Sequence, residues 1–132
     1  MRRAAVAAAL AAAALLAGCG AQTEDLMAID VSGGPARTRE HLRVTNDGRA
    51  SCGGPLRAIA SQTLLDAREA KRALRPLARR GASFPSPRPG VRQYAFRSFD
   101  GTVHWGEGAP GPPGLARATL LALRLERELC RG

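Results

Sequence analysis

Residues 92–105 read RQYAFRSFDGTVHW, and the fold turns on how they are read. Tyr94 and Phe96 fall on one side of an alternating run, and Val103 and Trp105 on one side of the next. A side-chain period of two puts such residues on one face of a strand. Between the runs, Asp100-Gly101 is a two-residue loop of the kind that closes a hairpin. Two antiparallel strands alone are marginal in water, so their aromatic face needs a cover and more strands beside it.

The flanking sequence supplies both. Downstream, a Gly/Pro loop (106–114) leads into a helix expected from Leu115 to Cys130, whose apolar stripe is Leu115, Ala118, Leu121, Ala122, Leu125 and Leu129. Upstream, Leu64, Ala67, Ala70, Leu74 and Leu77 make a second stripe. Ser61 or Thr63 is placed to cap that helix, with Asp66 completing a short capping box. Pro76 is expected to end or kink it near Leu74. Pro85, Pro87 and Pro89 make 83–90 an extended connector. Nearer the N-terminus, Met27, Ile29 and Val31 alternate, then Leu42 and Val44. Asn46-Asp47-Gly48 turns the chain back into 49–52, and Gly53-Gly54-Pro55 interrupts a strand that resumes over 56–60. The order is strands, helix, strands, helix. Hairpin connections give antiparallel pairing, so the expected class is α+β: two layers, an antiparallel sheet of four or five strands, and two helices on one face.

The first 18 residues read as a separate unit. Arg2 and Arg3 precede an unbroken Ala/Val/Leu run from Ala4 to Ala17, and these fourteen residues suit a signal-peptide core. They fall short of the ~20 needed to span a bilayer. The run closes on Leu16-Ala17-Gly18-Cys19, which resembles the lipobox of bacterial lipoproteins. That resemblance implies cleavage before Cys19 and a diacylglyceryl group on its sulfur. Two acyl chains give stable anchoring where one binds reversibly. The domain division is then 1–18 signal peptide, 19–25 lipidated Cys19 and a short tether, and 26–132 one globular domain. The expected location is the extracytoplasmic face of the cell membrane.

Cleavage leaves 132 − 18 = 114 residues, and loss of Arg2 and Arg3 takes the formal charge from +9 to +7. A chain of that size excludes a large catalytic barrel or a two-domain dinucleotide enzyme. The charge rests on 19 Arg and one Lys, Lys71. Nucleic acid is disfavoured by the compartment. The charge is expected first to reflect an Arg-rich codon usage, with anionic headgroups as the alternative reading of it.

With Cys19 lipidated, Cys52 and Cys130 remain, and an oxidising compartment favours one disulfide between them. Zinc held by Cys52, Cys130, His41 and His104 is the rival, without C-x-x-C or H-x-x-x-H spacing to support it. Unpaired thiols are the third outcome. No metal and no cofactor is expected.

No catalytic set stands out. Gly106-Glu107-Gly108-Ala109-Pro110-Gly111 matches G-x-G-x-x-G, but Pro110, Pro112 and Pro113 remove the backbone donors that a phosphate would need. His41 and His104 lie on expected strands, with no G-x-S-x-G motif. Asp66 and Glu69 share a helix with basic neighbours and read as solvated ion pairs.

Pro55-Leu56, the run from Leu64 to Arg68, the Tyr94 to Val103 hairpin and the late Cys130 resemble the small lipoproteins of high-GC Gram-positive bacteria. More distantly, Val31-Ser32-Gly33-Gly34, Asp100-Gly101 and Pro113 to Leu115, in that order, resemble the emfourin-type inhibitors of thermolysin-like metalloproteases. The second resemblance implies a protease-restraining role and assigns it to no residue. The expected function is a non-enzymatic binding module, inhibitor-like if the emfourin resemblance holds, with an unknown protein partner. The alternatives are a structural envelope lipoprotein held by acyl chains and basic charge, and a small hydrolase using His41 or His104.

Overall fold

The Tyr94–Trp105 hairpin forms as two strands, β6 (Arg92–Ser98) and β7 (Gly101–Gly106), in a computed structural model that describes residues 24–131. The expected signal segment 1–18, Cys19 and residues 20–23 of the expected tether lie outside the described residues. Ser98 pairs with Gly101, so the two loop residues are Phe99 and Asp100, one position earlier than the Asp100-Gly101 loop expected. Gly101 is the first residue of β7 instead, at φ +135°.

β1 (Asp25–Gly33) runs through the middle of the sheet, antiparallel to β2 (Thr38–Thr45) on one side and to β6 on the other. Asp25, expected in the tether, is therefore already strand. β3 (Arg49–Cys52) pairs with β2 across the Asn46–Gly48 turn, where Thr45 Oγ1 donates to Asp47 and Gly48 takes φ +83°. After Gly53-Gly54-Pro55 the chain does not resume β3; it doubles back as a two-residue strand, β4 (Arg57–Ala58), against it. A second two-residue strand, β5 (Ser83–Phe84), lies parallel to β7 within the expected connector. The sheet therefore has seven strands in the order β4-β3-β2-β1-β6-β7-β5 and is mixed, where four or five antiparallel strands were expected. Both additions are minimal edge strands, which leave little unpaired backbone for another chain to join.

Helix α1 (Ser61–Arg79) passes through Pro76 instead of ending there. Pro76 removes one N–H, but Leu77 and Ala78 beyond it are buried, and that packing holds the last turn. Gly81 and Ala82 donate to the carbonyls of Ala78 and Leu77, a Schellman ending that delivers Ser83 to the edge of β7. At the start of the helix the N-cap is Ala60, with no side-chain cap bond, and Thr63 is buried inside. The expected capping box is absent because Asp66 turns to Gln62 and to Arg124 on the second helix. That helix, α2 (Pro113–Leu125), begins with proline where a missing N–H costs nothing, and it continues as a π-turn over Glu126–Cys130.

The registers put Met27, Ile29 and Val31 level with Val44, Leu42, Phe96 and Tyr94, and those two aromatics level with Val103 and Trp105. All are buried, in one core with the stripes of both helices. Tyr94 and Trp105 stack at 5.3 Å, and Trp105 Nε1 donates to Thr119 at 2.9 Å. The alternate residues of the same strands form the opposite face of the sheet.

Candidate functional site

That opposite face is polar and basic. Arg39, His41, Arg43, Arg97 and His104 project from β2, β6 and β7, around a central Asp30 on β1. Register fixes the arrangement, since Asp30 lies between His41 on one neighbouring strand and Ala95 on the other, with Arg97 diagonal to it. His41 Nδ1 sits 2.5 Å from Asp30 Oδ1, and Arg97 Nε donates to Oδ2 at 2.8 Å. Burial alone would raise the Asp30 carboxyl, but these two hydrogen bonds and the charges of His41 and Arg97 together outweigh it and hold the group below its ordinary value. The carboxylate is thus engaged on both oxygens, which suits orienting its neighbours better than accepting a proton. A shallow depression of about 460 Å³ lies beside it, lined among others by Ser32, Arg39, His41 and Gly53.

A second cluster closes the end of the core beneath the β1–β2 turn. Arg92 pairs with Glu126 of the π-turn, both largely buried, and Glu40 faces the same pair. Burial, and then the neighbouring Glu126 carboxylate, push the Glu40 carboxyl above its ordinary value against the pull of Arg92 and Arg131. Glu40 Oε2, Arg92 Nε and Tyr94 OH are buried without a hydrogen-bond partner. A cavity of about 270 Å³ opens here, lined by Thr38, Glu40, Arg92, Glu126, Cys130 and Arg131 among others. Because the folded state holds Glu40 protonated more readily than the unfolded chain does, its contribution is complete below about pH 4.5. It is lost as pH rises through the raised value. Glu40→Gln keeps an amide donor toward Glu126 and removes the titration. The variant is expected to be more stable than the parent at pH 7 and to lose that advantage at pH 4. Denaturant midpoints at the two pH values check this, and a less stable variant at pH 7 refutes it.

Cys52 and Cys130 are joined in a disulfide, with Cα atoms 5.4 Å apart. It ties the short β3 to the end of the π-turn, where Arg57 Nη2 of β4 also donates to the Leu129 carbonyl at 2.7 Å. Glu40 lies close to both sulfurs, but bonded to each other they are not thiolate ligands. The four-residue zinc set does not converge. His41 is on β2 and His104 on β7, three strands away at ~4.8 Å per step.

The structure thus unites Cys52 with Cys130 and His41 with Asp30, and it keeps the two histidines apart. It links Asp66 to Arg124 across the helices, a partner that i, i+4 reasoning within one helix does not find. The Asp30 node and the Glu40–Arg92–Glu126 cluster escape sequence reading, because both depend on strand register and on where α2 lands. Among the described residues no helix is long and apolar enough to cross a membrane. No family model, curated protein or solved structure matches this chain.

Proposed function

We propose that this chain is a lipid-anchored, extracytoplasmic, non-enzymatic binding module that presents the uncovered face of its sheet to an acidic surface of a protein partner. The observation that carries the reading is the arrangement around Asp30. One carboxylate, engaged on both oxygens, holds His41 and Arg97 in place on the sheet, with Arg39, Arg43 and His104 beside them. Preset side chains lose little entropy on binding, and basic groups of this kind steer acidic partners. A hydrolase would have His41 and Asp30 but needs a nucleophile within hydrogen-bond reach. Ser32 is diagonal to His41 across the β1–β2 pair, about 7–8 Å away.

Anchoring and binding are tested together. The Cys19→Ala chain is expected to leave the detergent phase and appear unanchored, whereas the parent stays with the membrane. In living cells, a photo-crosslinker at Arg39 or His104 is expected to capture one discrete protein, and one at the exposed Arg80 on the helix layer is not. A metalloprotease in that band supports the inhibitor-like version. Crosslinks to lipid alone support the structural envelope alternative and count against the binding module.

A further inference from the structure

The end of the domain from which the tether leaves is built differently from the rest of the surface. β1 starts there at Asp25, and the Glu24 carbonyl is held by Asn46 through both its backbone and its side chain. Two turns flank that point, Asn46–Gly48 on one side and Phe99–Asp100 on the other. Helix α1 lies across the same end. Gly48 meets Leu64 near its start, Arg68 reaches the Asn46 carbonyl, and Gly101 packs on Ala78 near its finish. Arg68, Arg72, Arg75 and Arg79 follow one another at i, i+4, i+7 and i+11, a single face of the helix. The buried stripe of Thr63, Ala67, Ala70, Leu74 and Leu77 takes the opposite side. Arg75 and Arg79 share one carboxylate, Asp100, at 3.4 and 3.7 Å, so positive charge is left over beside the tip.

Phe99 forms that tip, and it is 98% exposed. An aromatic ring carried into solvent on a two-residue turn buries nothing in this fold. It lies beside a row of arginines and beside the strand end that leads to Cys19. Five residue steps separate Cys19 from Glu24, which limits the gap between the anchor and this end to ~17 Å.

We propose that Phe99 and the arginine stripe of α1 form one docking surface for an anionic lipid bilayer. The ring enters the interface while Arg68, Arg72, Arg75 and Arg79 meet headgroup phosphates. The proposal rests on the lipid-anchored reading, and it adds a fixed orientation: α1 and the tip face the membrane, and the basic sheet face is left free at the side. The occupant follows from the charge, the exposed aromatic and the position of the tether, all on one end of the molecule.

The test uses the mature protein purified from membranes, with Phe99→Trp as an interfacial reporter and the parent, whose Trp105 is buried, as baseline. In vesicles of phosphatidylglycerol and phosphatidylcholine containing brominated lipid, the emission of the introduced tryptophan is expected to be quenched. The quenching is expected to fade in pure phosphatidylcholine and in ~1 M salt, where the screening length falls to ~3 Å. Arg68→Gln with Arg72→Gln is expected to lower the ratio of docked to lifted molecules about fivefold per arginine. Unquenched emission from lipidated, vesicle-retained protein overturns the docking surface and leaves the anchor standing. A mass without the diacylglyceryl group overturns the anchor itself. Equal quenching in neutral and anionic vesicles overturns the role of the arginines. A blue shift that grows with protein concentration in the absence of vesicles assigns Phe99 to a second copy of the chain and overturns the proposal.

Discussion

Reducing the Cys52–Cys130 bridge is expected to lower the melting temperature of the domain by roughly 15–25 °C. The two cysteines are separated by 78 positions, so the bond closes most of the described chain into one loop. Chain entropy assigns such a closure about 4.5 kcal/mol, a large fraction of the 5–15 kcal/mol that holds a typical domain. Its placement adds to the effect. β3 has four residues, β4 has two, and the π-turn has five. Without the bond, this edge keeps the Arg57 contact to Leu129 and the burial of Leu129 against the core. Thermal unfolding with and without reductant, alongside Cys52→Ser/Cys130→Ser, measures the loss. A shift of less than about 5 °C would show that the unfolded chain gains little freedom when the loop opens.

Gly101→Ala is expected to cost about 3 kcal/mol or more, the largest effect of any glycine-to-alanine change among the described residues. Two causes coincide. The residue has φ +135°, a region that side chains with a Cβ rarely adopt. A Cβ there would lie 2.2 Å from the Ala78 carbonyl oxygen, which is backbone and cannot swing aside. Relief requires the β6–β7 hairpin to lift from the last turn of α1, which also separates Asp100 from Arg75 and Arg79. Gly53→Ala is the control: φ is +70°, but nothing lies within 4 Å of the new atom. It should cost about 1–2 kcal/mol, the left-handed penalty alone. Equal losses at the two positions would remove the close-packing argument and leave only the backbone one.

The two glycines also show how far sequence reading reaches. Alternation finds the buried face of every long strand, because Met27, Ile29, Val31, Leu42, Val44, Tyr94, Phe96, Val103 and Trp105 all point to the core. The stripes of both helices are legible for the same reason. Cysteine counting, with Cys19 set aside by the lipobox resemblance, makes a Cys52–Cys130 disulfide the first of three expected outcomes, and the structure holds that bridge. Local preference places the hairpin loop one residue late, because Asp-Gly is a strong turn signal, whereas the glycine is needed one step further on, beneath Ala78. Pro76 reads as a terminator on local grounds, and the burial of Leu77 and Ala78 overrides it. β5 is invisible in a proline-rich stretch, because a Schellman turn after α1 sets where Ser83 arrives. The polar clusters are least legible of all. Nothing local ties Asp30 to Arg97, 67 positions away, or Arg92 to Glu126.

The position of β1 has a mechanical consequence. If residues 19–24 tether the domain to the membrane as proposed, any pull on them enters the fold at Asp25. It then runs along a strand hydrogen-bonded on both sides, to β2 and to β6. The load is carried in shear, so many bonds must fail together before the strand slips. A tether joined to the two-residue β4 or β5 would instead unzip its strand one bond at a time. The proposed anchor would thus load a strand that is paired on both sides, in shear and not by unzipping.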